Sequence, residues 1–178
     1  MRVVSGTARG HNLAAPVGVK TRPTGDRMKE DLFNILAPVI NGAFFLDLYC
    51  GSGAMGIEAL SRGAKGAVFV DESKEAIAVT KANLLKTRLA DRAEVIHMSV
   101  DSALKKMTGR VFDIIFMDPP YGSGITGIEQ QKLLAKEGIL VVECPINDKL
   151  DAKLSGKLTV YRQKKYARMQ FVFYKGID

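Results

Sequence analysis

From residue 43 to residue 145 the chain alternates short apolar blocks with stretches of helical spacing. Phe44–Tyr49, Ala67–Val70, Ala93–Met98, Phe112–Met117 and Gly138–Glu143 are mostly continuous apolar runs, as expected of strands covered on both faces of a parallel sheet. Helices are predicted between them at Ala54–Arg62, Lys74–Arg88, Asp101–Met107 and about Gly127–Lys136. The order βαβαβαβαβ predicts a doubly wound α/β domain. After Pro145 a polar helix at about Asp148–Ser155 is predicted to lead into two strands, Leu158–Arg162 and Gln170–Tyr174. These two can pair as an antiparallel hairpin closing one edge of the sheet.

Ahead of this block, Arg2–Gly6 and Asn12–Pro16 read as short strands around a Gly/Arg-rich turn, a hairpin. An irregular stretch from Val19 to Thr24 follows. Asp26 can then cap a helix with Leu32, Phe33, Ile35 and Leu36 on one face, up to Pro38. The predicted organisation is an extension over 1–40 and an α/β domain over 41–178.

The chain has 178 residues, 47% of them hydrophobic and 25% charged, which fits an ordinary globular core and excludes a disordered chain. No apolar run approaches the ~20 residues of a membrane helix, and no signal peptide is apparent. Two cysteines, Cys50 and Cys144, lack metal-ligand spacing and are too few for a disulfide framework, so a cytoplasmic protein without a metal is expected.

Net charge changes the picture because it is uneven. Of the total of +7, residues 1–40 carry +3 and residues 145–178 carry +5, while the middle is −1. Ends that grip a polyanion around a near-neutral catalytic middle would account for this, as would solvated surface lysines.

The first strand of the α/β block runs into Asp47-Leu48-Tyr49-Cys50-Gly51-Ser52-Gly53-Ala54-Met55-Gly56. Glycines between a strand and a helix let backbone approach a ligand. The spacing also satisfies the dinucleotide fingerprint, so a nicotinamide dehydrogenase is considered. Asp47 argues against it, since a carboxylate there repels a pyrophosphate but can bind the amino group of a methionine moiety. Asp71, at the end of the second strand, can accept ribose hydroxyls. After the third strand, Asp101 can accept from an adenine amine while the Val100 backbone reads the ring edge. Asp71 and Asp101 also stand where helix N-caps are expected. Taken together, three acids at successive strand ends and the glycine loop point to S-adenosylmethionine. Tyr49, Cys50, Gly51, Ser52, Gly53 and Glu72 complete the candidate cofactor residues. Met55 and Phe69 read as core.

The fourth strand runs straight into Asp118-Pro119-Pro120-Tyr121. An exocyclic amine on a nucleobase is a poor nucleophile, because its lone pair is delocalised into the ring. Two acceptors on its hydrogens favour a more tetrahedral nitrogen. Asp118 and the Pro119 carbonyl are candidates, Pro120 fixes the backbone, and Tyr121 offers a face for the base to stack on. His97 reads as structural, and His11 lies in the basic turn within reach of phosphate.

With these residues in place, the chain resembles the RsmD-type family of 16S ribosomal RNA guanine-N2 methyltransferases. The resemblance rests on Ser5-Gly6-Thr7-Ala8-Arg9-Gly10-His11-Asn12-Leu13, on Arg22-Pro23-Thr24-Gly25-Asp26-Arg27-Met28-Lys29-Glu30, on Leu46 to Gly53, on Asp118 to Tyr121 and on Val142-Glu143. It implies a Rossmann-like class I methyltransferase sheet, S-adenosylmethionine as cofactor and the small ribosomal subunit as partner. It also implies that the N-terminal extension holds RNA through Arg9, Arg22, Thr24 and Arg27. A monomer without membrane contact is expected. Gly25 departs from the family's threonine, and the stretch from Gly122 to Glu143 is shorter than the family norm. Alternatives are adenine-N6 methylation of DNA or RNA and a non-catalytic RNA-binding protein with this fold.

Overall fold

The computed structural model describes residues 1–16, 25–120, 132–148, 150, 153–154 and 157–176. Its elements are α1 (Asp26–Ile40), β1 (Phe44–Leu48), α2 (Ala54–Ser61), β2 (Gly66–Asp71), α3 (Lys74–Thr87), β3 (Ala93–His97), α4 (Val100–Lys106), β4 (Phe112–Met117), β5 (Leu134–Pro145), β6 (Lys153–Leu154), β7 (Leu158–Lys165) and β8 (Met169–Gly176). A single 3-10 turn at Ala90–Arg92 precedes β3.

One eight-stranded sheet carries the fold, in the order β3-β2-β1-β4-β5-β8-β7-β6. β1 to β5 run parallel to their neighbours, and β8 enters antiparallel against β5. The order steps outward in both directions from β1 and β4. Their carboxyl ends therefore border the crevice where open α/β sheets bind ligands. Two apolar layers cover the sheet. Phe45, Phe69, Ile114, Phe116, Val141, Phe171 and Phe173 face α1 and α2, while Leu46, Val70, Ile115, Met117, Leu140 and Val172 face α4. Among the described residues, no helix is long and apolar enough to cross a membrane.

The α/β block and the terminal hairpin match the sequence reading, with four corrections. Residues 1–16 close as the expected hairpin, but without regular strands: one antiparallel bridge, Arg2 to Asn12, and the amides of Val3, Gly10 and Leu13, which donate to the carbonyls of His11, Val3 and Met1, join the two arms. Other amides of the arm go to helices. The amides of Val4 and Ser5 donate to Glu58 at 2.8 and 3.0 Å, Thr7 donates to the Ser61 carbonyl, and Ala14 donates to Asn83. Second, Asp26 is not a cap. Gly25 occupies the N-cap without a side-chain bond, and Asp26 lies inside the first turn, 2.8 Å from Arg2; the helix also runs past Pro38 to Ile40.

Third, Leu134–Lys136 belongs to β5 rather than to the predicted helix over Gly127–Lys136, of which 127–131 lie outside the described residues. Phe112 pairs with Leu134, and Leu133 is fully buried, so sheet pairing overrides the helical spacing. Fourth, within the predicted polar helix over Asp148–Ser155, Lys153–Leu154 pairs with β7 as a short strand, and Leu154 joins the α4-side core.

The docked arm turns on one buried carboxylate. Glu58, fully buried in α2, receives Lys29 at 3.3 Å, Arg62 at 2.8 Å and the two arm amides. Lys29 also donates to the Arg2 carbonyl. Gly6 closes the approach: it has φ +84°, and a Cβ there would stand 1.9 Å from the Ser61 carbonyl oxygen. Removing one partner of a buried ion pair leaves an uncompensated charge and typically costs about 3–5 kcal/mol. Glu58→Ala is therefore expected to destabilise the protein by about that amount, with Lys29→Met/Glu58→Leu losing much less. Denaturant titration of both variants checks this, and equal losses would sink the account.

Candidate active site at the strand ends

Asp47 is the last residue but one of β1 and is 1% exposed. Its Oδ2 accepts the amide of Gly56 at 2.9 Å, which ties the strand end to the first turn of α2. Burial pushes the Asp47 carboxyl well above its usual range; the Gly56 bond opposes the rise, and the charges of Asp118 and Asp71 add to it. Three carboxylates along the sheet edge thus share one field.

Between β1 and α2 the backbone enters the left-handed region at Tyr49, Gly51 and Gly53, with φ of 61°, 54° and 75°. The three glycines have different reasons. A Cβ on Gly51 would meet nothing within 4 Å, so its backbone borders open space. A Cβ on Gly53 would press on Thr80 at 2.8 Å, and one on Gly56 would enter the Phe69 ring at 2.3 Å. Only Gly51 leaves room for a ligand; Gly53 and Gly56 serve packing, and Met55 and Phe69 are core as expected. Cys50 is buried, its sulfur 3.7 Å from Thr80 Oγ1, and burial raises its thiol beyond any useful range. Tyr49 is half-buried, which raises its hydroxyl.

Asp71 is not a helix cap. Its Oδ2 accepts the Gly51 amide at 2.9 Å and its Oδ1 accepts the Ser73 amide at 2.8 Å, while Ser73 itself caps α3. Similarly, Ser99 caps α4, leaving Asp101 exposed in the first turn beside buried Val100. Both acids are thereby released from the structural role that competed for them. Glu72 is exposed, and its carbonyl lies 3.0 Å from His97 Nε2. His97 is exposed at the end of β3, and its ring holds the Glu72 backbone, in keeping with a structural role.

Asp118 and Pro119 follow directly on β4, and β4 lies beside β1 with Phe116 opposite Asp47. Asp118 is open to water on one side and crowded by protein on the other. Burial on the crowded side raises its carboxyl to about 6. Pro120 is exposed, and Tyr121 lies outside the described residues. Of the residues expected to hold RNA, Arg9 and Arg27 are exposed, and Arg22 and Thr24 lie outside the described residues. His11 Nδ1 lies 2.9 Å from the Ala8 carbonyl and closes the turn that presents Arg9.

Two residues that the sequence reading passed over support the glycine loop from behind. Thr80 donates to the Gly51 carbonyl at 3.0 Å, and Asn83 donates to the carbonyls of Ser52 and Ala14 at 2.9 and 3.0 Å. Both are buried. Their signal was available: two small polar residues three apart, on the face of α3 that also carries Ile77 and Leu84.

The model of the family described as conserved hypothetical protein 95 matches residues 1–175. The chain is 35% identical over 180 residues to ribosomal RNA small subunit methyltransferase D of Escherichia coli K12, covering 98% of this chain and 89% of that protein. It is 38% identical over 184 residues to YlbH of Bacillus subtilis, provisionally named an rRNA methyltransferase, with 98% of each chain covered. The solved structure of yhhF from Escherichia coli superposes with a TM-score of 0.88 at 34% identity, covering 99% of this chain and 97% of that one. Similarity on this scale, spanning the arm, the glycine loop and the strand ends, means that the chain belongs to the conserved hypothetical protein 95 family and is a methyltransferase of the RsmD type.

Proposed function

We propose that this protein transfers the methyl group of S-adenosylmethionine to the exocyclic N2 amine of a guanine in small-subunit ribosomal RNA. The observation that carries the reading is the adjacency of Asp118 to Asp47. The buried carboxylate of Asp47 and the partly open one of Asp118 stand at the ends of neighbouring parallel strands, on the crevice side of the sheet, close enough for Asp118 to raise Asp47. The name of the Escherichia coli relative supports the small-subunit rRNA as substrate.

The residues present fit the cofactor. The space over Gly51 admits a ligand against bare backbone. Asp47 offers a carboxylate for an amino group, Asp71 keeps lone pairs beyond its two amide bonds for ribose hydroxyls, and Val100 and Asp101 border an adenine position. Tyr49, Cys50 and Ser52 belong to the turn between β1 and α2, and Glu72 follows β2 beside Asp71. When bound, the cofactor supplies a methyl group on a positive sulfonium, which the acidic strand ends favour.

Asp118 and the Pro119 carbonyl accept the two hydrogens of the target amine and hold its lone pair toward the methyl group. Asp118 then takes the proton released on transfer. Tyr121 stacks on the base. The arm over 1–40, with Arg9, Arg22, Thr24 and Arg27, holds the flanking strand. The base must be splayed from its stack to reach this depth, so loop RNA suits the site better than duplex.

Three measurements test this. Tritiated methyl transfer to unmethylated 30S subunits, naked 16S rRNA and duplex DNA, with the labelled nucleoside identified, is expected to yield N2-methylguanosine from RNA alone; N6-methyladenosine would replace the reading with its alternative. Asp118 must be ionised to accept, so its raised value of about 6 predicts activity that is flat above pH 6. Below it the rate should fall about tenfold per pH unit. Asp118→Asn should lower the rate about 100- to 10,000-fold and remove that acidic limb; a variant that retains the wild-type profile refutes the role.

The third concerns Asp47. Its folded value lies above its unfolded one, so the native state binds the extra proton and loses stability as pH rises from the unfolded value through the folded one. Asp47→Asn keeps an acceptor for Gly56 without the buried charge. It should be no less stable than wild type at pH 7, yet bind S-adenosylhomocysteine at least about tenfold more weakly. Unchanged binding would remove Asp47 from the cofactor site.

A further inference from the structure

The β7–β8 hairpin ends at the same edge of the sheet as the candidate active site. Met117 of β4 pairs with Val142 of β5, so extending the register sets Asp118 level with Glu143. Glu143 pairs with Phe171 of β8, and Phe171 with Lys164 of β7. Asp118, Glu143, Phe171 and Lys164 therefore form one row across four neighbouring strands. Paired residues project to the same face, and adjacent strands lie ~4.8 Å apart, so Lys164 starts about 14 Å from Asp118 on the same side of the sheet. The turn carrying Arg168 extends beyond that row.

The same face is the one α1 covers. Tyr166 donates its hydroxyl to Asp31 at 3.0 Å, and the Lys164 ammonium lies 3.6 Å from the same carboxylate oxygen. Tyr166 also packs edge-on against Phe171, and Lys164 lies over the Tyr166 ring. The charge of Arg27, exposed in the first turn of α1, reaches the Tyr166 hydroxyl and opposes the rise that burial imposes on it. Arg168 is exposed in the turn, its carbonyl held by the Ile146 amide at 2.9 Å. Two segments far apart in the chain thus place Arg27, Lys164 and Arg168 along one border. Asp31 among them is engaged by Tyr166 and Lys164, and Glu143 lies behind the border, near enough to act on the Tyr166 hydroxyl.

We infer that Lys164 and Arg168, fixed to the start of α1 by the Tyr166–Asp31 bond, form with Arg27 a basic rim that takes the phosphates flanking the target base. The occupant is the phosphodiester backbone of an RNA strand whose splayed nucleotide sits at Asp118. The inference rests on the proposed rRNA substrate and adds the second of two sides from which the strand is held. Cations on an outer strand also discourage edge-to-edge pairing. That role concerns the strand's free edge, however, whereas Lys164 projects from the sheet face toward α1.

The test compares two double variants with the same change in charge. Lys164→Gln/Arg168→Gln removes the rim, and Lys136→Gln/Lys157→Gln removes two exposed lysines at the opposite end of the sheet. Binding to unmethylated 30S subunits and to naked 16S rRNA is measured across a salt series, with kcat, KM, Tm and S-adenosylhomocysteine affinity. For the rim variant, Kd and KM for RNA should rise about tenfold at ~0.1 M salt, and the slope of log K against log salt should flatten by about 1.4–1.8. Its kcat should stay within about twofold, because neither residue touches the reacting atoms; cofactor affinity and Tm should not move. The opposite-end variant should behave as wild type. Tyr166→Phe, which unhooks the turn but keeps the charges, should raise KM by a smaller factor. Equal losses in both double variants, or an unchanged slope in the rim variant, would overturn the rim. Wild-type protein that binds neither RNA would instead fail the substrate reading, and the rim with it.

Discussion

Glu58 is the constraint on which the rest of the molecule depends. A carboxylate at zero exposure must be fully satisfied, and here two cations and two backbone amides converge on it from three segments. Those segments are the N-terminal arm, α1 and α2. Since α2 begins at the glycine loop, the same helix that anchors the arm also sets the loop's direction. Asn83 makes a second link by bonding Ala14 of the arm and Ser52 of the loop from one side chain. Burial lowers the Lys29 ammonium while Glu58 raises it, as expected of a cation held in place by its partner rather than by water. The arm is thus built into the core from which the strand ends project.

Much of this was legible because two signals agreed. Apolar runs of four to six residues, two of them followed directly by an acid, Asp71 and Asp118, point to buried parallel strands whose carboxyl ends carry chemistry. β4 was placed without error at Phe112–Met117, and β1 to β3 to within a residue or two. The two terminal strands, predicted at Leu158–Arg162 and Gln170–Tyr174, fall within β7 and β8. What could not be read was anything decided by a distant partner. Leu134 to Lys136 has helical spacing, yet Phe112 claims it for the sheet. Arg2 to Pro16 looks like a hairpin and closes as one, yet the amides of Val4, Ser5, Ala8 and Ala14 leave it for Glu58, Ser61 and Asn83. Glu58 itself lies in a stretch that reads as an ordinary helix, and nothing local marks it as buried.

The site was legible in part for a related reason. Asp47 lies one residue before the end of β1, Asp71 ends β2 and Asp118 follows β4, so the fold fixes their positions once the strands are known. The competing assignment of Asp71 and Asp101 as helix caps was undecidable from sequence, because Ser73 and Ser99 stand within two residues and are equally good caps. In the structure the serines take that role. The supports behind the loop, Thr80 and Asn83, required knowing which face of α3 is buried.

The uneven charge then acquires a physical sense. Carboxylates gathered at the ends of β1, β2 and β4 create a negative field that suits a sulfonium and a neutral amine but opposes a polyanion. Proximity already raises Asp47 through Asp118 and Asp71. An RNA strand can bring a base to this edge only if its phosphates are kept to the sides and compensated there. Excess positive charge lies in residues 1–40 and 145–178, and the fold brings both segments to the border of the acidic edge, with Arg27 and Lys164 sharing the surroundings of Asp31 and Tyr166. Each screens the strand from the acids it must approach. Acidic centre and basic rim are then parts of one electrostatic arrangement: the centre selects a cationic methyl donor, and the rim makes the approach of its anionic acceptor possible.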